Sequence, residues 1–330
     1  MKLLVTGATG FLGGHLVEEM VDRGYDVVAS IRGTSSTVLL DELGVEKRML
    51  DLVDASTMLD ATRGIDVVMH LAAYYTFMGK DDLYEKINVQ GTRELLNACL
   101  KNGVKRVLYC SSTEAIGPVD DPPADEESPL NPTYEYGRSK AKAESLVRSF
   151  QTNGLDHTIL RPSGIYGPRN VDDVSFYFIT SFANSIASNF IVGTGNNLVQ
   201  FVHVKDVVQG FLRALDRYEE SRNRTYIISE GRAYTYDQVY SILASILGKR
   251  PPRMHIPRSL AKVMMAPIQG FNALIGKENF MWRTSTVDSV TADRSYRIER
   301  ARGELGFSPI YDLETGLRET VDWYRENGYL

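Results

Sequence analysis

Cysteine is scarce in this chain. Two thiols, Cys99 and Cys110, stand among 330 residues, which excludes the disulfide framework of a small secreted domain. They fall in an expected helix and an expected strand, where buried free thiols fit best, and they point to a reducing cytoplasm. Histidine is as thin: His15, His70, His157, His203 and His255 share no ligand spacing, so no metal centre is expected. Charge of one sign is not concentrated either, and a net −5 with interspersed signs excludes a basic nucleic-acid surface. No apolar run reaches the length of a bilayer span, and no signal-peptide pattern precedes the strand expected from Lys2. What remains is a chain long enough to bury a large core, as one large domain or two unequal ones.

The first thirteen residues organise that core. An apolar run over 3–5 is short enough for a buried parallel strand, and it breaks into Gly7, Gly10 and Gly13, which open an amphipathic segment. Gly7 turns the chain, Gly10 lets the backbone approach a diphosphate, and Gly13 lets the helix lie on the strand. The first helical N–H groups, with Phe11 and Leu12 counted in the site, then face the anion with the helix dipole behind them. Leu12, Leu16, Val17, Met20 and Val21 supply the buried stripe, and Gly24 ends the helix. The pattern is that of a dinucleotide site.

Residues 26–31 read as the second strand, whose end faces the adenosine ribose. Where NAD is preferred, an acidic residue usually bonds the ribose 2′-hydroxyl there. Here stand Ser30, Ile31, Arg32, Gly33, Thr34, Ser35 and Ser36, and a guanidinium among hydroxyls suits a 2′-phosphate. NADP(H) is therefore favoured and NAD(H) stays open, Arg32 as a plain solvated arginine being the other reading. A third strand over 45–50 leads into Asp51 and Leu52, where the carboxylate either accepts from the adenine amino group or caps the next helix. A fourth strand over 66–71 ends in Leu71, Ala72 and Ala73, small enough for the backbone to pass beside diphosphate and ribose. His70 in that strand reads as a satisfied core residue. The aromatic loop Tyr74, Tyr75, Thr76, Phe77, Met78 either touches substrate or packs between domains.

A helix over 83–101 carries Asn88, and a fifth strand over 106–111 runs into Ser112. A hydroxyl at that strand end either bonds a substrate oxygen or caps a helix. The next helical pattern decides between them, because Tyr136 and Lys140 stand four residues apart on one face. The lysine charge, beside a cofactor positive at its oxidised nicotinamide, favours tyrosinate, and a phenol of ordinary pKa about 10 then works as acid or base near neutrality.

These segments together resemble the extended short-chain dehydrogenase/reductases over nearly the whole chain. The similarity rests on residues 6–13, on His70-Leu71-Ala72-Ala73, on Asn88-Val89-Gln90-Gly91-Thr92, on residues 136–140 and on residues 160–168. The resemblance implies a Rossmann-like α/β sheet, with Ser112 and Tyr136 around the reacting carbon–oxygen bond and Lys140 on the nicotinamide ribose. It also implies that backbone near Pro162 and Ile165 holds the carboxamide, and that Asn88 anchors its helix or relays protons. Residues 111–117 and 193–206 resemble the 3β-hydroxysteroid dehydrogenase branch, while Arg32 and its neighbours look like the dihydroflavonol reductases. Nucleotide-sugar epimerases and dehydratases, the alternative, often carry an arginine where this chain has Val199.

Residues 171–190, with Phe176, Tyr177, Phe178, Phe182 and Phe190, and the amphipathic stretch 259–275 around Pro267 either line an apolar substrate cavity or serve as core, lid or a patch that leans on a membrane. The stretch 296–309 reads as a structural closing element. The expected division is a dinucleotide-binding domain over 1–162 and 201–216, with a substrate domain over 163–200 and 217–330. The expected partner is a small-molecule substrate, with a homodimer left open.

Overall fold

Strands that are apolar at every position, such as Val67-Val68-Met69, need cover on both faces, which a parallel sheet between helices provides. The computed structural model describes residues 1–76, 81–184, 189–274 and 283–330. Its strands are β1 (Lys2–Thr6), β2 (Asp26–Ile31), β3 (Glu46–Met49), β4 (Val67–His70), β5 (Arg106–Cys110), β6 (Asp156–Pro162), β7 (Gly164–Tyr166), β8 (Phe190–Val192), β9 (Leu198–Val199), β10 (Phe201–His203), β11 (Arg224–Ile228), β12 (Tyr234–Thr235) and β13 (Met254–Ile256). Among the described residues, seven form one parallel sheet in the order β11-β6-β5-β4-β1-β2-β3. The order reverses between β1 and β4, and a crevice at such a point is where α/β sheets bind ligands.

Alternation within β1 feeds two cores. Leu3 and Val5 pack with Leu16, Val17 and Met20 of helix Phe11–Asp22 and with Val207 and Phe211 of helix Val204–Asp216. Leu4 packs on the opposite face with Leu95, Leu96, Ala143 and Val147. Each fully buried side chain of this size contributes about 1.5–3 kcal/mol of transfer free energy, so the helical stripes suffice to clamp the sheet. The expected helix over 83–101 is present but changes pitch: Tyr84–Gly91 winds as a π-helix before Thr92–Lys101 returns to α. Such widened turns recur at functional sites.

One expectation is corrected here. The return of the chain to the sheet was expected over 201–216, yet β10 pairs with β7 in a separate small sheet, and helix Val204–Asp216 only covers the main one. The strand that returns is β11, beside β6, inside the segment assigned to the substrate domain. Of the two readings of the aromatics in helix Val174–Asn184, core packing is the one seen. Phe182 is buried with Val199, Tyr234, Leu243 and Tyr324 in the core of a second lobe, while Phe176 and Phe178 pack against it. They hold that lobe together.

Candidate active site

The strand ends at the crevice are locked by one buried hydroxyl. Thr6 Oγ1 is 2.8 Å from His70 Nδ1 and accepts from the N–H groups of Leu71 and Ala72, both at 3.1 Å. The far ring nitrogen, His70 Nε2, lies 2.9 Å from Thr92 Oγ1, so strand, loop and helix share one imidazole. Burial lowers the His70 pKa to about 3, and the ring stays neutral, the satisfied core residue expected. Gly7 sits at φ +72°, and a Cβ there would stand 2.9 Å from the Ala72 nitrogen; one on Gly13 would fall on the Gly7 carbonyl. Exposed Gly10 caps helix Phe11–Asp22 with no side-chain bond, leaving the first-turn N–H groups turned outward. The cradle is shaped by missing side chains, and it fits a diphosphate.

Ser112, Tyr136 and Lys140 converge beside that crevice. Ser112 follows β5 in extended conformation, and its hydroxyl accepts from Glu114 N–H at 3.1 Å. The same side chain stands beside the Tyr136 phenol and works against the upward push of burial on its pKa, so the capping role leaves Ser112 at the tyrosine. Lys140 is buried and donates from Nζ to the Cys110 carbonyl at 2.8 Å, with the ammonium 5.7 Å from the Tyr136 ring centre. Burial pushes the Tyr136 phenol well above 10, and the Cys110 thiol, Asp173 and Glu114 add to it. Burial also lowers the Lys140 ammonium. In the protein alone, desolvation therefore outweighs the lysine charge, opposite to the direction expected for the phenol.

Asn88 takes the anchoring role. Buried in the π-helix, it accepts from Tyr74 N–H at 2.6 Å and donates to the Tyr74 carbonyl at 3.0 Å and to Ser139 Oγ at 2.9 Å. Ser139 in turn donates to the Tyr136 carbonyl at 2.7 Å. One amide thus ties the loop after β4 to the helix that carries Tyr136.

The other side of Tyr136 was not foreseen. The Tyr75 ring meets the Tyr136 ring edge-on, with centroids 4.8 Å apart, and Asp173 stands beside the Tyr75 phenol, its carboxyl raised by burial to about 6. Phe77 and Met78 of the same loop lie outside the described residues. Glu114 is gripped by Arg294, Nε to Oε1 at 3.0 Å, and Arg294 also donates to Ser289 Oγ. No local pattern could reveal a pair 180 positions apart.

At the adenosine end, Arg32 is exposed beyond β2, and its guanidinium has no partner among the described residues. Asp51 is half-exposed and accepts from Val53 N–H at 3.1 Å. The helix cap is Asp54 instead, which removes the capping reading of Asp51. Leu52 is buried, Leu71 and Ala72 are half-buried and Ala73 is exposed along the crevice. At its other end Pro162 closes β6 and half-buried Ile165 lies in β7. Val199 is buried in the second lobe's core, in β9 opposite Tyr234. Cys99 and Cys110 are free buried thiols, and no group of three metal-ligating side chains occurs among the described residues.

A Gly-rich turn at a switch point, followed by a Ser–Tyr–Lys corner, defines a nicotinamide-dependent enzyme class. Residues 3–229 match the NAD dependent epimerase/dehydratase family, and the chain belongs to it, as an oxidoreductase of the extended short-chain dehydrogenase/reductase type. It is 31% identical to "Sterol demethylase protein B" of Methylococcus capsulatus, with 100% of each chain covered. To "3beta-hydroxysteroid-dehydrogenase/decarboxylase isoform 1" of Arabidopsis thaliana it is 29% identical, over 97% of this chain and 78% of that one. Among solved structures, gox2253 superposes with a TM-score of 0.85 at 28% identity, covering 99% of both chains. DesIV, a dTDP-glucose 4,6-dehydratase from Streptomyces venezuelae with NAD and TYD bound, gives 0.79 at 26% identity, over 99% of this chain and 98% of that one.

Proposed function

We propose that the protein transfers a hydride reversibly between nicotinamide and a secondary alcohol or ketone on an apolar, 3β-hydroxysteroid-like or isoprenoid substrate. The observation that carries this reading is the convergence of Ser112, Tyr136 and Lys140 against the Tyr75 ring: an acid–base corner bordered by an aromatic edge. Gly7, Gly10, Phe11 and Leu12 would hold the diphosphate, Leu71, Ala72 and Ala73 its flank, Asp51 and Leu52 the adenine, and Arg32 a 2′-phosphate. Pro162 and Ile165 would hold the carboxamide, and Lys140 the nicotinamide ribose. Bound there, the nicotinamide supplies the hydride donor and acceptor. Tyr136 passes a proton to or from the substrate oxygen, Ser112 polarises that oxygen, and Asn88 keeps the tyrosine helix in register.

NADP(H) is the favoured cofactor, because the end of β2 offers an unpaired guanidinium and no carboxylate. The names of the sterol-related relatives support an apolar substrate. Val199 packed in the core gives a sugar-nucleotide diphosphate no charge at that position, which disfavours the epimerase/dehydratase alternative. Two buried thiols suit the cytoplasm, and cofactor binding is assigned to 1–162 with the cover of 201–216, substrate binding to 163–200 and 217–330 apart from β11. The test is a panel of sterols, isoprenoid alcohols and nucleotide sugars followed at the nicotinamide absorbance. Net NADPH change with an apolar alcohol is expected; conversion of a nucleotide sugar with no net cofactor change would overturn the reading.

A further inference from the structure

Helix Arg258–Leu274 is amphipathic the wrong way round for a surface helix, which normally turns its apolar stripe to the core. At 100° per residue, Leu260, Val263, Met264, Ile268, Phe271 and Leu274 share an arc of about 140°, and all six are 41–87% exposed. The polar side faces the protein. Ala261 is buried and Met265, Gln269 and Asn272 are half-buried. Arg258 and Lys262 both reach Asp288, at 2.5 and 2.7 Å, and Gln269 Oε1 accepts from Thr284 N–H at 2.9 Å. Met254, in β13 shortly before the helix, is also 60% exposed. Exposed apolar side chains gathered on one face mark an interaction site.

Charge indicates what covers it. Residues 249–274 hold Lys249, Arg250, Arg253, Arg258 and Lys262 and no Asp or Glu, a local +5 in a chain of net −5. Arg250 and Arg253 are exposed and have no acidic partner among the described residues. No helix there is long and apolar enough to cross a bilayer, so an apolar stripe beside unpaired guanidinium groups matches a helix lying in an anionic lipid interface. We infer that helix Arg258–Leu274, with Arg250 and Arg253 at its rim, docks the protein peripherally on an anionic phospholipid surface. An apolar substrate dissolved in such a membrane would then be within reach, a link that rests on the proposed function.

Co-sedimentation with vesicles tests this without cofactor or substrate, so its failure leaves the hydride-transfer reading untouched. The native protein should sediment with vesicles of phosphatidylcholine and phosphatidylglycerol and do so weakly with phosphatidylcholine alone, the difference vanishing at high salt. Val263→Asp with Phe271→Asp should lower binding by about tenfold on both compositions. Arg250→Glu with Arg253→Glu should lower it on the anionic vesicles only, and far-UV spectra report that both variants stay folded. Native protein that ignores both compositions would overturn the inference. So would self-association, seen by light scattering and abolished by the apolar substitutions, in a protein that binds no vesicles.

Discussion

Tyr136 stands between two walls built in different ways. On the cofactor side, Lys140, Ser139 and Asn88 are buried and tied to the Cys110, Tyr136 and Tyr74 backbone by bonds of 2.6–3.0 Å. All of them lie on elements bordering one sheet. On the substrate side, Asp173 meets Tyr75 and Arg294 meets Glu114, each pair joining the sheet lobe to a segment far along the chain. The first wall forms with the Rossmann-like half alone, whereas the second exists only once the lobes have packed. On the proposed function, chemistry shared across the fold belongs on the first wall, and substrate choice on the second.

The sharpest way to break that division is to remove the proton carrier. Tyr136→Phe should lower kcat by about 10²- to 10⁴-fold, the range of general acid–base catalysis, with cofactor affinity nearly unchanged by fluorescence titration. Lys140→Ala should weaken both. A phenylalanine variant with near-normal kcat would strip the first wall of its chemistry.

Two arginines compare the walls directly. Arg161 is buried and donates to Glu144 at 2.7 and 2.8 Å, while Glu144 also accepts from Ser111. Arg161→Met leaves the buried carboxylate to Ser111 and the half-exposed Arg148, the latter at 2.8 Å, and should cost somewhat less in urea unfolding than the roughly 3–5 kcal/mol of a wholly unpaired buried charge. Glu114 is less buried than Glu144, so water can solvate it when Arg294→Met removes its partner. That variant should lose less stability and instead raise KM for substrate. Equal destabilisation by both would mean that the second wall is as structural as the first.

The same contrast explains what was legible in the sequence. Strands two to five fell within one residue of their expected ends; β2, β4 and β5 are marked by short apolar runs, whereas β3 is the charged Glu46-Lys47-Arg48-Met49 bracketed by buried Val45 and Leu50. The site elements that were expected, residues 6–13, 70–73 and 136–140, carry their geometry in local spacing. Arg294–Glu114 carries none, and the return strand β11 was missed because the 201–216 motif precedes it and makes cover instead of strand. The aromatics of helix Val174–Asn184 stayed ambiguous for a related reason: composition cannot tell a lobe's core from a cavity wall. Helix Arg258–Leu274 showed its amphipathic pattern readily, but only the fold shows that its apolar side faces out.

Cofactor choice is a smaller effect at the edge of the first wall. If Arg32 bonds a 2′-phosphate, worth about 1.5–3 kcal/mol, Arg32→Ala should weaken NADPH about ten- to a hundredfold. NADH, with no phosphate there, should be unaffected. Ser30 and Thr34 to Ser36 remain to donate neutral bonds, which favours the lower end. Native protein that prefers NADH, or equal weakening toward both cofactors, would leave Arg32 a solvated residue.

The smallest effect lies where the walls meet, at Asp173. Burial raises this carboxyl from an ordinary 3.8 to about 6, so between those values the native state binds more protons than the unfolded one. Stability then falls as pH rises through that window, and the penalty is complete above about pH 6. Asp173→Asn removes the penalty: it should be the more thermostable protein at about pH 8 and lose that advantage at about pH 4. The same charge raises the Tyr136 phenol, after burial and the Cys110 thiol, while Glu114 also faces it and stays in place. Without Asp173 the phenol ionises more readily, and the rising limb of kcat for alcohol oxidation should move to lower pH. Thermal melts and kcat profiles across that range check both. A gain that is equal at the two pH values, with an unmoved kcat limb, would show that Asp173 acts on Tyr75 alone and that the second wall does not reach the proton on the first.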